Sequence, residues 1–215
     1  TANNLTHQQG IMTQLGEQQG ILDVSRYLNN TAGNIRSNGT WLIKANTFNN
    51  LQGSLFSAGM GKLDLQIQQA LDNTGGTLTG RQGILVDTPS LINRTGKVIA
   101  SLGDVILNSQ SLDGDEGEIL AKGTLNIQGE TLSLNQAVTQ GERILMTANT
   151  LEHQNGKLLQ TGTDAGEINL QGQLNNLAGE MGSHGDFTLK ASALNNNDGQ
   201  IITANKGHLS VALQD

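Results

Sequence analysis

Leu28-Asn29-Asn30-Thr31-Ala32-Gly33-Asn34-Ile35-Arg36-Ser37-Asn38-Gly39-Thr40-Trp41-Leu42-Ile43-Lys44-Ala45 is the stretch that decides the fold. It places Gly five residues after a leading Leu, an aliphatic residue two later, and a second Gly near the eleventh residue. An alternating apolar run follows. Leu174-Asn175-Asn176-Leu177-Ala178-Gly179-Glu180-Met181-Gly182-Ser183-His184-Gly185-Asp186-Phe187-Thr188-Leu189-Lys190-Ala191 repeats the same phrase. Marked by the leading apolar residue, copies start at Leu28, Phe48, Leu71, Leu91, Leu112, Leu132, Leu151, Leu174 and Leu194. The intervals are 20, 23, 20, 21, 20, 19, 23 and 20 residues. A weaker copy at Leu5 makes ten.

The sixth position holds Gly10, Gly33, Gly53, Gly76, Gly96, Gly117, Gly156, Gly179 and Gly199; only the Leu132 copy departs, with Ala137. These are the expected structural turn glycines. Gly and Asn break every segment, as turn residues that tolerate positive φ. The second half of each unit alternates with period two, as in Trp41, Ile43, Ala45 or Leu63, Leu65, Ile67, which is strand alternation with one buried face. No window carries a sustained helical stripe.

A unit of about 20 residues with three short strands and three turns cannot bury its own apolar face. Coiling once and stacking on the next unit solves this, since each strand then pairs with its equivalent one coil away. The expectation is an all-β parallel β-helix of about ten coils over residues 1–215, one repeat segment. Residues 1–27 have the weakest register and 28–215 the clear repeats. At about 4.8 Å per coil the rod is roughly 50 Å long. About four inward apolar side chains per coil, at roughly 1.5–3 kcal/mol each, supply the core. Asn29, Asn49, Asn175 and Asn30, Asn50, Asn73, Asn93, Asn176, Asn196 sit at equivalent turn positions. Stacked amide ladders and simple turn preference both fit them.

Composition agrees. The 215 residues include no Cys, 28 Gly, 1 Pro and only 2% aromatics, with a net charge of -7. A narrow lumen has little room for rings. The absence of Cys excludes a disulfide scaffold, thiolate metal sites and Cys nucleophiles. The acidic balance and scarce aromatics oppose nucleic-acid binding. No apolar run is long enough to span a bilayer as a helix. The chain starts at Thr1 without a signal peptide, so it reads as a piece of something longer.

The phrase Leu-Asn-Asn-x-x-Gly-x-Ile-x-Ser-x-Gly-x-Leu-x-Leu-x-Ala resembles the repeats of filamentous haemagglutinins, best at Leu28, Leu71, Leu174 and Leu194. The Leu112 copy, with Asp113-Gly114 in place of Asn-Asn, and the Leu132 copy depart from it. The resemblance implies a right-handed β-helix, export through an outer-membrane two-partner transporter, and a secreted or cell-surface location on a Gram-negative bacterium. It further implies a role as adhesin or as the shaft of a contact-dependent growth-inhibition toxin. A chain threaded unfolded through a pore must not be locked by disulfides, which suits zero Cys.

Chemistry is sparse. Asp113, Asp115, Glu116 and Glu118 form the densest carboxylate cluster, readable as a weak cation site, an acid/base pair or a solvated acidic turn; the last is favoured. Neighbouring copies supply no matching carboxylates. Of His7, His153, His184 and His208, no pair has metal spacing, and all four read as surface residues. Ser37 and Ser183 share a repeat position as small inward residues. No catalytic, cofactor or metal site is expected, and no enzyme. Trp41, Phe48 and Phe187 fall on core positions, while Tyr27 reads as exposed. Asn-x-Thr triplets begin at Asn4, Asn29, Asn38 and Asn93. The 23-residue intervals place longer loops near Ala58-Gly59-Met60-Gly61 and Thr161-Gly162-Thr163-Asp164-Ala165-Gly166. These are the candidate binding loops, for a host-cell or bacterial-surface receptor or glycan.

Overall fold

The computed structural model describes residues 2–204 and 206–213. Every strand pairing in it is parallel, and the described residues form no helix. The chain is the expected parallel β-solenoid of about ten turns, with about 21 residues per turn. Its cross-section has three faces. The first is a 10-stranded sheet of four-residue strands, from Ile11–Gln14 in coil one to Gln200–Thr203 in coil ten. The second runs through strands such as Asp104–Asn108 and Phe187–Ala191, and the third through three-residue strands such as Ser111–Asp113.

In the first three coils the second and third faces fuse into single long strands, Gly20–Asn29, Trp41–Asn49 and Leu63–Asp72. Bulges between Val24 and Tyr27 and between Ala45 and Thr47 bend them round the corner. From coil four onward a turn at that corner, beginning with Thr88-Pro89, splits the strand in two.

Coils five and six each bury five apolar side chains in register: Leu91, Val98, Ala100, Val105 and Leu107, then Leu112, Ile119, Ala121, Leu125 and Ile127. Phe48 is fully buried between Leu28 and Leu71, whereas the other two inward aromatics lie over glycines. Trp41 sits over Gly20, whose added Cβ would lie 2.6 Å from the indole ring, and Phe187 sits over Gly166, at 2.9 Å.

The two Asn positions of the repeat separate cleanly. The second is an Asx turn: Asn29 Oδ1 accepts from Thr31 N at 2.9 Å, Asn49 Oδ1 from Leu51 N at 2.8 Å, and Asp72 Oδ1 from Thr74 N at 2.9 Å. The third points inward and makes the amide ladder. Asn30 Nδ2 donates to Asn50 Oδ1, Asn50 to Asn73 and Asn73 to Asn93, each at 2.7 Å; Asn176 donates to Asn196 at 2.6 Å. Gly114 and Leu134 take the place in coils six and seven and interrupt the ladder.

The turn glycines differ from expectation in one respect. Their φ is not positive. The left-handed residue is the one before, at position five: Gln9, Ala32, Gln52, Gly75, Thr95, Glu116, Gln136, Asn155, Ala178 and Asp198, with φ between 52 and 62°. Gly at position six answers a close approach instead. A Cβ on Gly96 would lie 2.2 Å from Asn73 O one coil back, and on Gly53 2.3 Å from Asn30 O.

Candidate functional surfaces

The longer loops share one edge of the rod, between the first and second faces. Cross-coil register divides each three-residue excess. Two residues fall in the edge loop, at 58–62 and 161–165, and one at the next corner, near Gln68-Gln69 and Gln171-Gly172. Five coils separate the two loops, about 24 Å, so they form no single pocket. Ala58 is half-buried and Gly59 buried, while Met60 is 77% exposed and Gly61 is exposed. Thr161, Thr163 and Asp164 are exposed.

A third loop of the same length, Leu15–Gln19, was hidden in the Gln-rich first 27 residues. Gly10 belongs to the turn series, whereas Gly20 lies beneath Trp41, so the ten-residue echo of Gln-Gln-Gly-Ile is not structural register. Two of the three loops rest on an inward glutamine. Gln14 Nε2 donates to Gln18 O at 2.8 Å, and Gln160 Nε2 to Asp164 O at 2.7 Å. Gln160 is buried in the column that elsewhere holds Ser37, Ser57, Gly80, Ala100 and Ala121. Its Oε1 accepts from Ile144 N at 3.0 Å. The widened loop makes room for the longer amide, and the amide closes the loop. Gln six residues before Gly was the available sequence signal.

The histidines divide. His153 is 0% exposed and occupies the inward third position, contrary to the surface reading. Its Nδ1 lies 2.7 Å from Asn176 Oδ1. A carbonyl oxygen can only accept, so Nδ1 carries the proton, and the buried Nε2 has no partner. Burial pushes its pKa down, and the Asn176 bond opposes that shift. His7 occupies the same position, half-buried. The shared offset of His7 and His153 from their leading Leu was visible in the sequence; the direction in which that offset points was not.

The acidic cluster is tied up across coils. Arg94 Nε meets Asp113 Oδ2 at 2.6 Å, and Lys97 Nζ meets Glu118 Oε1 at 2.8 Å. Asp115 Oδ1 accepts from Ser133 Oγ at 2.6 Å and Asn135 N at 3.0 Å. Among the described residues no group of three or more His, Asp or Glu could hold a metal ion. Of the Asn-x-Thr triplets, Asn93 is buried within the ladder, while Asn4 and Asn38 are exposed.

A shallow groove of about 500 Å³ runs along the bulged corner of coils one to four, lined by Asp23, Ser25, Lys44, Gln66, Gln68 and Asp87. Beside it Asp64 interrupts an outward aliphatic row, between Leu42 and Leu85. Desolvation there raises its pKa, partly offset by Gln66. The groove offers hydrogen bonds of both senses and no aromatic platform.

Comparison with known proteins gives one weak likeness. The chain is 27% identical over 221 residues to toxin CdiA of Yersinia pestis, an alignment covering 94% of this chain and 6% of that protein. The chain thus spans a small fraction of the relative it matches. No model of a protein family matches it, and no solved structure does. The likeness and the β-solenoid together fit a repeat region of CdiA or haemagglutinin type.

Proposed function

We propose that this chain is a length of the rod-like shaft of a large secreted or cell-surface protein of a Gram-negative bacterium. Its job is to hold a functional tip away from the producing cell, in adhesion or in contact-dependent toxin delivery. Export through an outer-membrane two-partner transporter belongs to the same reading. The observation that carries it is the alignment of 94% of the chain within 6% of a toxin. An uninterrupted solenoid supports it mechanically, since each coil adds about 4.8 Å of reach. The chain's own residues offer hydrogen-bonding surface and cross-coil ion pairs.

Titration of the labelled chain onto epithelial cells and Gram-negative bacteria tests this against an adhesin that binds a receptor or glycan directly. The shaft reading expects no saturable binding to either. Saturable binding would overturn it and direct mutagenesis to Met60, Thr161, Thr163 and Asp164. A second arm deletes residues 71–131, which joins Ala70 to Leu132 in register and removes three coils. A folded, shorter solenoid by small-angle scattering is the expected result; unfolding would count against interchangeable coils.

A further inference from the structure

The first face is one continuous parallel sheet, and its two outward rows follow from strand register. One row reads Thr77, Lys97, Glu118, Val138, Lys157, Glu180, Gln200 over coils four to ten. The other reads Thr79, Ile99, Leu120, Gln140, Leu159, Gly182, Ile202. In the first row the charges are antisymmetric about Val138, which is 42% exposed. Lys97 and Glu118 lie two and one coils to one side; Lys157 and Glu180 lie one and two to the other.

We propose that this face is a self-complementary docking surface for a second, antiparallel copy of the chain. The two-fold axis runs along the strand direction through coil seven. That operation lays each row on its own copy with coil order reversed. Lys97 then faces the second copy's Glu180, and Glu118 its Lys157. Val138 faces Val138, and Thr77 faces Gln200. In the other row Leu120 faces Leu159, Gln140 faces Gln140, and Ile99 faces Gly182.

Gly182 is an independent observation. A strand-interior glycine weakens its strand and often marks close approach by another molecule. Its own fold scarcely requires it, since an added Cβ would meet only Leu159 Cδ1 at 3.2 Å. The turn glycines other than Gly10, by contrast, face backbone at 2.2–2.7 Å. On the outer surface Gly182 leaves a gap one side chain deep, and Ile99 is the residue the two-fold places over it.

A parallel arrangement would set the charged row against the aliphatic row, leaving Lys97 and Glu118 over Ile99 and Leu120. The antiparallel one is therefore favoured by charge and by shape. Four residues by seven coils outline about 450 Å² per copy, below a standard interface. The contact is accordingly weak and concentration-dependent, and grows with every coil two longer rods share. The pairing itself does not depend on the shaft reading.

Sedimentation equilibrium on the chain, up to about millimolar concentration, tests the contact. The expected result is reversible dimerisation towards twice 22.7 kDa. Glu118→Lys sets two lysines against each other at two symmetric places, and Lys157→Glu sets two glutamates so. Each single variant should dimerise at least tenfold more weakly, since like charges brought together are strongly unfavourable. An equimolar mixture of the two restores opposite charges at every place and should regain wild-type affinity as a heterodimer. So should the double variant, even though within one chain it makes like-charged neighbours of both Lys97/Glu118 and Lys157/Glu180. Circular dichroism checks that all variants fold.

Because facing sheets lie about 10 Å apart, Val138→Cys with a short bifunctional thiol reagent should crosslink efficiently. Thr13→Cys, on the same face at coil one, should not. A chain that stays monomeric throughout, or a dimer whose affinity ignores the charge exchange, overturns the proposal. The second outcome would assign association to another surface, such as the open strand edges of the end coils.

Discussion

Replacing Asn73 with alanine tests whether the amide ladder or the apolar columns hold the coils together. Asn73 is fully buried. Its Oδ1 accepts from Asn50 Nδ2 at 2.7 Å, and its Nδ2 donates to Asn93 Oδ1 at 2.7 Å and approaches Gly76 O and Lys97 O. Alanine leaves Asn93 Oδ1 without a donor. Asn50 Nδ2 keeps only a long contact of 3.3 Å to Gly53 O. Gly76 O retains the backbone bond from Lys97 N at 2.8 Å. Two buried polar groups are therefore stranded, at about 1–3 kcal/mol each, giving roughly 3–4 kcal/mol of destabilisation. Urea unfolding followed by far-ultraviolet circular dichroism measures it. Asn49→Ala, which removes an Asx-turn bond to Leu51 N and an exposed 3.3 Å bond from Nδ2 to Tyr27 Oη, should cost about 1 kcal/mol. A loss under about 1 kcal/mol for Asn73→Ala, or no difference between the two, would refute the ladder as a stabilising element. The natural break supplies a sharper form. Leu134 fits because the coil beneath carries Gly114, whose added Cβ would lie 2.9 Å from Leu134 Cδ2. Asn73→Leu alone should thus be at least as damaging as alanine, and Asn50→Gly with Asn73→Leu should recover part of the loss. Simple additivity of the two would count against this account.

Gly96→Ala should destabilise by about 2–3 kcal/mol, because its Cβ would meet Asn73 O at 2.2 Å. Gly182→Ala should stay within about 1 kcal/mol or stabilise, and similar urea midpoints for the two would refute the close-approach explanation. Because the neutral His153 has a lowered pKa when folded, the unfolded chain binds its proton first. That contribution is complete above about pH 6.5 and declines as pH falls below it. The urea midpoint should therefore fall more between pH 7.5 and 5 for the wild type than for His153→Asn; equal falls would remove His153 as the cause. Ile43→Asp places a charge in the lumen and should unfold the neighbouring coils, whereas Thr40→Asp at the edge should be mild. Equal melting behaviour would mean the assigned register is wrong.

The solenoid was legible because each coil buries the same positions, so Leu at the start and Gly at the sixth place recur wherever one coil rests on the next. Leu112 and Leu132 kept their place although the residues after them departed from the phrase, since the column of leucines alone fixes the coil. Properties of the backbone were less legible. The left-handed residue at position five is Gly only at Gly75 and Gln, Ala, Thr, Glu, Asn or Asp in the other nine coils, so composition at that place says nothing about φ. It also drew attention to the wrong residue, the adjacent Gly. His184 and His208 are exposed as expected, but His153 was misplaced for a related reason. Asn and His can both donate and accept inside a ladder, but a lone histidine in a polar repeat carries no mark of inward direction. Edge loops were found where Gly clusters advertised them, at Gly59 and Gly162. The loop at Leu15–Gln19 was missed, because its support, Gln14, resembles its neighbours.

One level of organisation lies above the coil. His7, Gln14, Gly20, Asn30, Ser37, Lys44 and Ala45 recur as His153, Gln160, Gly166, Asn176, Ser183, Lys190 and Ala191, each 146 residues later. The interval spans seven coils, and its contents are structural: a histidine at the inward third position, bonded to the ladder only at His153, the glutamine-braced loop, and the glycine under an aromatic, Gly20 beneath Trp41 and Gly166 beneath Phe187. The polar column follows the same period. It begins at a histidine, runs through asparagines, ends at Gly114 and Leu134, and begins again at His153. Hydrogen-bond chains reinforce along their length, and stacked repeats are stabilised mainly by their neighbours. The single interruption at Gly114 and Leu134 therefore divides these ten coils into two blocks whose cooperation is carried across the gap by the leucine and aliphatic columns. Coils six and seven replace the missing interior bonds on the outside, where Asp115 holds Ser133 and Asn135, and Asn135 Oδ1 accepts from Gln154 N at 2.8 Å. Part-buried bonds of that kind are more easily exchanged for water than a fully buried amide ladder. The boundary between blocks should thus open first under denaturant, read as faster amide hydrogen exchange in coils six and seven than in coils three to five.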